Sequence, residues 1–230
     1  MNHHNNIVRI KAVNEALGEL RDKVVFVGGA TISLYPDRQI FEPRPTDDVD
    51  IIVEIFNYVG RAILEEKLRA IGFHNDPESN VVCRYRIDGI IVDIMPTDDD
   101  SIGFKNQWYP QGFHNAIEQQ IDDQTTVKIL SVPYFIATKM EAFKSRGQND
   151  GRTSHDFEDI VYLLENRSTI WQEMKDAPDD VRAYLIEEFK TLAKNRNIYE
   201  WVDSNVERGS PPATYRILEN WESFAALAKS

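Results

Sequence analysis

The chain has 230 residues, 42% of them apolar, with 38 acidic side chains against 26 basic ones and a formal net charge of −12. This is globular composition, which excludes wholesale disorder, and its lone cysteine, Cys83, excludes a disulfide-stapled scaffold. The charge excludes broad, sequence-blind DNA binding, yet leaves room for a nucleotide pocket in which a few basic groups and a metal ion suffice.

The first six residues lack both the basic cluster and the apolar stretch of a secretory leader. No apolar run reaches the roughly 18 residues of a spanning helix. The cytoplasm is therefore the expected compartment, with no membrane partner. Over 7–20, Ile7, Ile10, Val13, Leu17 and Leu20 recur at helical spacing and predict an amphipathic helix. Val24–Val27 predicts a short apolar strand, broken by Gly28-Gly29, after which 30–35 begins a short helix. Pro36, Pro43 and Pro45 disfavour regular structure over 36–46. A strand is predicted over 48–54, with Val49, Ile51 and Val53 on one face.

A helix over 57–71 turns Ile63, Leu64, Leu68 and Ile71 inward. Strands over 81–87 and 89–94 flank Asp88-Gly89, a strong hairpin signal. One or two more strands are expected within 113–130. From Val132 the pattern is helical, with helices expected near 133–146, 154–166, 178–194 and 213–228. The last carries Leu218, Trp221, Phe224 and Leu227 as a stripe that either docks a partner or packs onto the protein's own core.

Asp48 and Asp50 alternate with Val49 and so share one face of their strand. Two adjacent carboxylates repel; a divalent cation removes that cost and takes hard oxygen ligands. The opposite reading is a solvated strand edge. Gly28-Gly29 permits a tight turn where backbone comes close to a ligand. Asp93 stands in an otherwise apolar strand, where a carboxylate must reach water or a cation. If that strand pairs beside the Asp48 strand, three acids converge, as in sites that hold two Mg²⁺ ions about 3.5–4 Å apart.

The order Gly-Gly, loop, Asp-x-Asp strand and later strand Asp resembles the nucleotidyltransferase superfamily of the DNA polymerase β type. The stretches 26–30 and 44–51 are similar to its AbiEii-type toxin branch, as are Lys139 through Arg146 and the Asp156-x-x-Asp159 helix start. The resemblance implies an α+β fold: a polymerase β-like core with a mixed sheet flanked by helices over 1–130, and a helical C-terminal domain over 131–230 that completes the active-site cleft. It implies that Asp48, Asp50 and Asp93 bind Mg²⁺ or Mn²⁺, with Asp93 as ligand or base. It also implies that Gly28 and Gly29 lie against the triphosphate and that Lys139 is a catalytic phosphate contact. Asp156 matches the acid after the helical Lys, at the nucleotide site. The position after Gly28 is Gly rather than Ser, so no hydroxyl is offered to phosphate there.

The residues alone leave other readings open. Lys139 and Arg146 share a helix face, as do Asp156 and Asp159, and a salt-bridged helix pair is the plain alternative, with Arg146 meeting Asp159. Arg44, beside the acid strand, touches Asp48 or phosphate, or is a solvated loop residue. Asp98-Asp99-Asp100 reads as a solvated run, His155 as a helix start, and Cys83, Trp108, Tyr109 and Trp201 as packing residues.

The function implied is transfer of NMP from an NTP to a hydroxyl acceptor by an AbiEii-like toxin of a toxin–antitoxin or phage-defence pair. The implied acceptor is tRNA, and the implied protein partner is a cognate antitoxin. A small-molecule, aminoglycoside-like nucleotidyltransferase and a non-catalytic NTP-binding protein of the same fold are the alternatives.

Overall fold

The computed structural model describes residues 1–37, 41–54, 58–97, 105–148, 150–207 and 211–227. The chain divides into two compact units, one of Met1–Leu34 with Arg44–Ser131 and one of Tyr35–Pro43 with Val132–Ser230. Among the described residues no helix is long and apolar enough to cross a membrane.

The first unit is built on a seven-stranded sheet, so the α+β expectation with a mixed sheet holds. Its strands are β1 (Val24–Val27), β2 (Asp48–Val53), β3 (His74–Asn75), β4 (Arg84–Ile87), β5 (Ile90–Pro96), β6 (Ile117–Asp122) and β7 (Thr125–Ile129). They lie in the order β3-β4-β5-β2-β1-β7-β6. β1 runs antiparallel to β2 and parallel to β7, while β2 runs parallel to β5. Every residue of β1, an interior strand between β2 and β7, is buried, which suits its four consecutive apolar side chains. Asp88 and Gly89 both have positive φ, 48° and 80°, as a two-residue type I′ hairpin requires.

Helix α1 (Asn2–Ala16) buries Ile10 and Val13. It stops short of the expected residue 20 because Gly18 turns left-handed at φ 54°, and Leu20 falls in the 3₁₀ turn Gly18–Lys23. Asn6 of α1 is buried and ties two segments together: it donates to Ser33 Oγ (3.0 Å) and accepts from Thr46 Oγ1 (2.9 Å). Arg9 donates to the Thr46 carbonyl. Helix α2 (Tyr58–Ala70) buries Leu68 fully, but Ile63 is 49% and Ile71 38% exposed. The inward stripe is thus narrower than expected: Ile63 is turned off the Leu68 side, and Ile71 lies beyond the helix end. A short helix, α3 (Tyr109–His114), carries too few turns to show a periodic signal.

The second unit holds α4 (Val132–Arg146), α5 (His155–Asn166), α6 (Ile170–Lys175), α7 (Asp179–Ala193), α8 (Ile198–Asp203) and α9 (Pro211–Ala225). The four long ones match the expected helices; α6 and α8, six residues each, were not expected. Helix α4 is buried almost all round from Val132 to Met140. Helix α5 is capped by Ser154, whose Oγ accepts from the Phe157 amide at 3.3 Å. The stripe of α9 that packs is Ala213, Ile217, Trp221 and Phe224, all at most 1% exposed. Leu227, expected in that stripe, is 38% exposed, and Leu218 is only half-buried. Trp221 Nε1 donates to the Phe189 carbonyl at 2.8 Å, and the two rings lie 4.4 Å apart. This helix face is therefore core, not an open docking surface.

Residues 35–43 belong to the helical unit. Tyr35 packs against Phe135 with the rings tilted and their centroids 4.8 Å apart, and the Tyr35 carbonyl accepts from Arg167 at 2.6 Å. The Asp37 carboxylate takes the Ser168 amide at 3.0 Å, and Phe41 meets Tyr162 edge-on at 5.2 Å.

Candidate active site

Strand register builds the site. The parallel pairing of β2 and β5 sets Asp50 directly beside Asp93 and Asp48 beside Ile91. On the far side of β5, the hairpin sets Arg84 of β4 opposite Asp93, and on the far side of β2, Val27 of β1 stands opposite Asp50. Arg84, Asp93, Asp50 and Val27 thus form one row across four strands, and neighbours in such a row share a sheet face. One carboxylate oxygen from each of Asp48, Asp50 and Asp93 lies within 4.8 Å of the other two. The three acids expected to converge do so.

Asp93 is the buried member, 8% exposed, while Asp48 and Asp50 are half-buried. The Arg84 guanidinium grips Asp93 with two bonds, Nε to Oδ1 at 2.8 Å and Nη2 to Oδ2 at 2.7 Å. The same Nη2 donates to Asp48 Oδ2 at 3.0 Å. These hydrogen bonds and the surrounding carboxylates push the Arg84 guanidinium pKa up, so it stays charged. Sequence reading missed Arg84. The signal was present: with Asp88-Gly89 as a two-residue turn, counting outward pairs Ile87 with Ile90 and Arg84 with Asp93. Arg86, two residues on, pairs with Asp76 at 2.9 Å.

The glycine pair follows β1 and borders the acids. A Cβ on Gly28, whose φ is 72°, would lie 1.8 Å from Asp50 Oδ2. A Cβ on Gly29 would lie 2.3 Å from Arg44 Nη2 and 2.9 Å from Thr46 Cγ2. The two glycines therefore make room for the Asp50 carboxylate and the Arg44 guanidinium. Arg44 also donates to the Pro45 carbonyl at 3.4 Å. The 3₁₀ turn Gly29–Leu34 is latched by Thr31 Oγ1 donating to the Gly28 carbonyl at 2.9 Å.

Three carboxylates gathered in one place fit a divalent cation. Their oxygens are the hard ligands such ions take, and the cluster already draws a cation to itself in the Arg84 guanidinium.

In the helical unit, Lys139 of α4 is 5% exposed, with its ammonium 3.1 Å from Asp156 and 2.7 Å from Asp159 of α5. The ammonium also lies 5.7 Å from the Phe135 ring centroid. Arg146 closes on Asp156 with two bonds, at 2.7 and 2.9 Å. The anticipated helix-pair salt bridges exist, but it is Lys139 that reaches Asp159 while Arg146 takes Asp156. Burial raises the Asp156 carboxyl pKa, but the Arg146 hydrogen bonds and the neighbouring ammonium outweigh it and hold the group at about 2.

The other described residues weighed in the sequence lie outside the carboxylate cluster. Trp108, Tyr109 and Trp201 are buried, and His155 opens α5 paired with Glu158 at 3.1 Å. Cys83 is buried just before β4, and burial pushes its thiol up to about 11. Asp98, Asp99 and Asp100 lie outside the described residues.

Comparison with curated protein sequences finds no match. Among solved structures, the chain is similar to the solution structure of the antibiotic-resistance factor ANT(2'')-Ia. The identity is 18% and the TM-score 0.48, over 84% of this chain and 96% of that one. The family described as nucleotidyl transferase AbiEii toxin, type IV TA system, matches residues 12–224. That match takes in the glycine turn, all three carboxylates and the buried Lys139 cluster, and the chain belongs to the AbiEii nucleotidyltransferase family.

Proposed function

We propose that this nucleotidyltransferase moves a nucleoside monophosphate from an NTP to a hydroxyl of tRNA, with Asp48, Asp50 and Asp93 as the seat of Mg²⁺ or Mn²⁺. The observation that carries the reading is the meeting of three carboxylates on two adjacent strands, within 4.8 Å. The acceptor oxygen bonds to the α-phosphorus and gives up its proton to solvent, the bond from that phosphorus to the bridging oxygen breaks, and pyrophosphate leaves. A divalent ion, when bound, neutralises phosphate charge and eases loss of the hydroxyl proton.

The chain's own part is mostly placement. Val49 and Ile51, fully buried, pin the strand that presents Asp48 and Asp50. Arg44, lying over Gly29, brings positive charge to the turn where the triphosphate is expected. Lys139 and Asp156 are proposed as nucleotide-side residues of the helical unit. Because the Lys139 ammonium already has two carboxylate partners, it would take phosphate by exchanging one of them. The family description also carries the expectation of a cognate antitoxin.

The test is incubation with each labelled NTP and either total tRNA or an aminoglycoside. Label should enter the tRNA in Mg²⁺, vanish with chelator, and fall at least a hundredfold in Asp48→Ala, on the scale of lost electrostatic stabilisation. Label on the aminoglycoside instead would replace the acceptor. Transfer that survives chelation would remove the metal role.

A further inference from the structure

The acid trio is not held together by backbone alone. Packing three carboxylates within 4.8 Å is repulsive, and one of them, Asp93, is 8% exposed. The group that meets this cost is Arg84, which donates to both oxygens of Asp93 and reaches Asp48. The side chain is well fixed, at 23% exposure, and its position follows from the tight hairpin rather than from a flexible loop. A planar fork bridging two carboxylates is a task for Arg that Lys performs poorly.

We propose that Arg84 is the resident counter-cation of the trio: it gathers Asp48 and Asp93 before a divalent ion arrives, and its charge then limits how tightly that ion is held. This rests on the metal reading above. Three carboxylates with one guanidinium carry a net −2, which a single divalent ion cancels. Without Arg84 the same oxygens face the ion with −3. Arg84 is thus a positioning residue, trading cation affinity for a site that folds in order.

The experiment measures Mn²⁺ binding through the electron paramagnetic resonance signal of free Mn²⁺, together with thermal melts in chelator. It uses the wild type, Arg84→Gln, Arg84→Lys and Asp50→Asn. Removing the guanidinium charge that borders the trio should tighten Mn²⁺ binding in Arg84→Gln on the order of tenfold or more. In chelator that variant should melt about 5 °C lower, and Mn²⁺ should raise its melting temperature more than the wild type's.

Arg84→Lys keeps the charge but bridges the two carboxylates poorly, so it should stay within about threefold of wild-type Mn²⁺ affinity while melting lower than the wild type in chelator. This pair of readouts tests the proposal even if Arg84→Gln fails to fold, and a wild-type melt in Arg84→Lys overturns the gathering role. Unchanged or weaker Mn²⁺ binding in Arg84→Gln, or tenfold tightening in Arg84→Lys, overturns the proposal. If the wild type binds no Mn²⁺, or binds it equally well as Asp50→Asn, it is the metal reading that fails. Asp50-dependent binding that Arg84→Gln leaves untouched sinks only the role of Arg84.

Discussion

At the scale of single residues, the glycine turn is a matter of volume. Gly28 is left-handed at φ 72°, and the space its Cβ would fill is taken by the Asp50 carboxylate. Gly28→Ala therefore asks for two things at once: a backbone conformation that costs about 1–2 kcal/mol for any L side chain, and displacement of a carboxylate of the trio. We expect that variant to stay folded by circular dichroism, to lose about 1–3 kcal/mol of stability, and to transfer nucleotide at least tenfold more slowly. Full transfer by Gly28→Ala would show that Asp50 need not stand where it does. The sequence showed that a Gly-Gly and an Asp-x-Asp occur in order. It did not show that one glycine exists to admit the other motif's side chain, because that contact spans 22 positions and depends on β1 and β2 being antiparallel neighbours.

Between elements, α4 and α5 are joined by charge as well as by packing. The Asp156 carboxyl, held at about 2 by Arg146 and Lys139 against the cost of burial, has a folded pKa below its unfolded value near 4. Its contribution is present above pH 4 and is lost as pH falls from about 4 towards 2. It amounts to about 2 kcal/mol when fully expressed. Melting temperatures taken between pH 5 and pH 2 should fall less steeply in Asp156→Asn than in the wild type. An identical acid limb in both would mean that the carboxylate is not specially stabilised in the folded state. The faces of α4 and α5 were legible from spacing, since Lys139 and Arg146 lie two turns apart and Asp156 and Asp159 one turn apart. Which cation takes which acid was not, because the crossing of two helices, not the period of either, sets those distances.

At the scale of the molecule, the chain's division into units does not follow a single cut in sequence. Residues 35–43 group with the helical unit, where Tyr35, Asp37 and Phe41 make contacts. A fragment of residues 132–230 would bare the surfaces of Phe135 and Tyr162 and leave Arg167 without the Tyr35 carbonyl. We expect such a fragment to show no cooperative melt by circular dichroism, or one at least about 10 °C below that of the intact chain, since loss of several buried contacts at about 1–3 kcal/mol each is a large share of a domain's stability. A fragment as stable as the whole chain would show that this segment is dispensable.

The sequence by itself determined the local matters: four apolar residues before Gly28-Gly29 that read as a short strand, a two-residue turn that sets a hairpin, acids alternating onto one face, and long helices of regular period. These depend on neighbours a few positions apart, and steric and hydrophobic rules read them directly. Tertiary structure alone decided that β2 and β5 lie side by side, that Arg84, already set opposite Asp93 by the hairpin, also reaches Asp48, and that residues 35–43 serve the helical core. Each of these is a meeting of distant segments, chosen by the total burial and charge balance of the folded chain, and local propensity does not encode them.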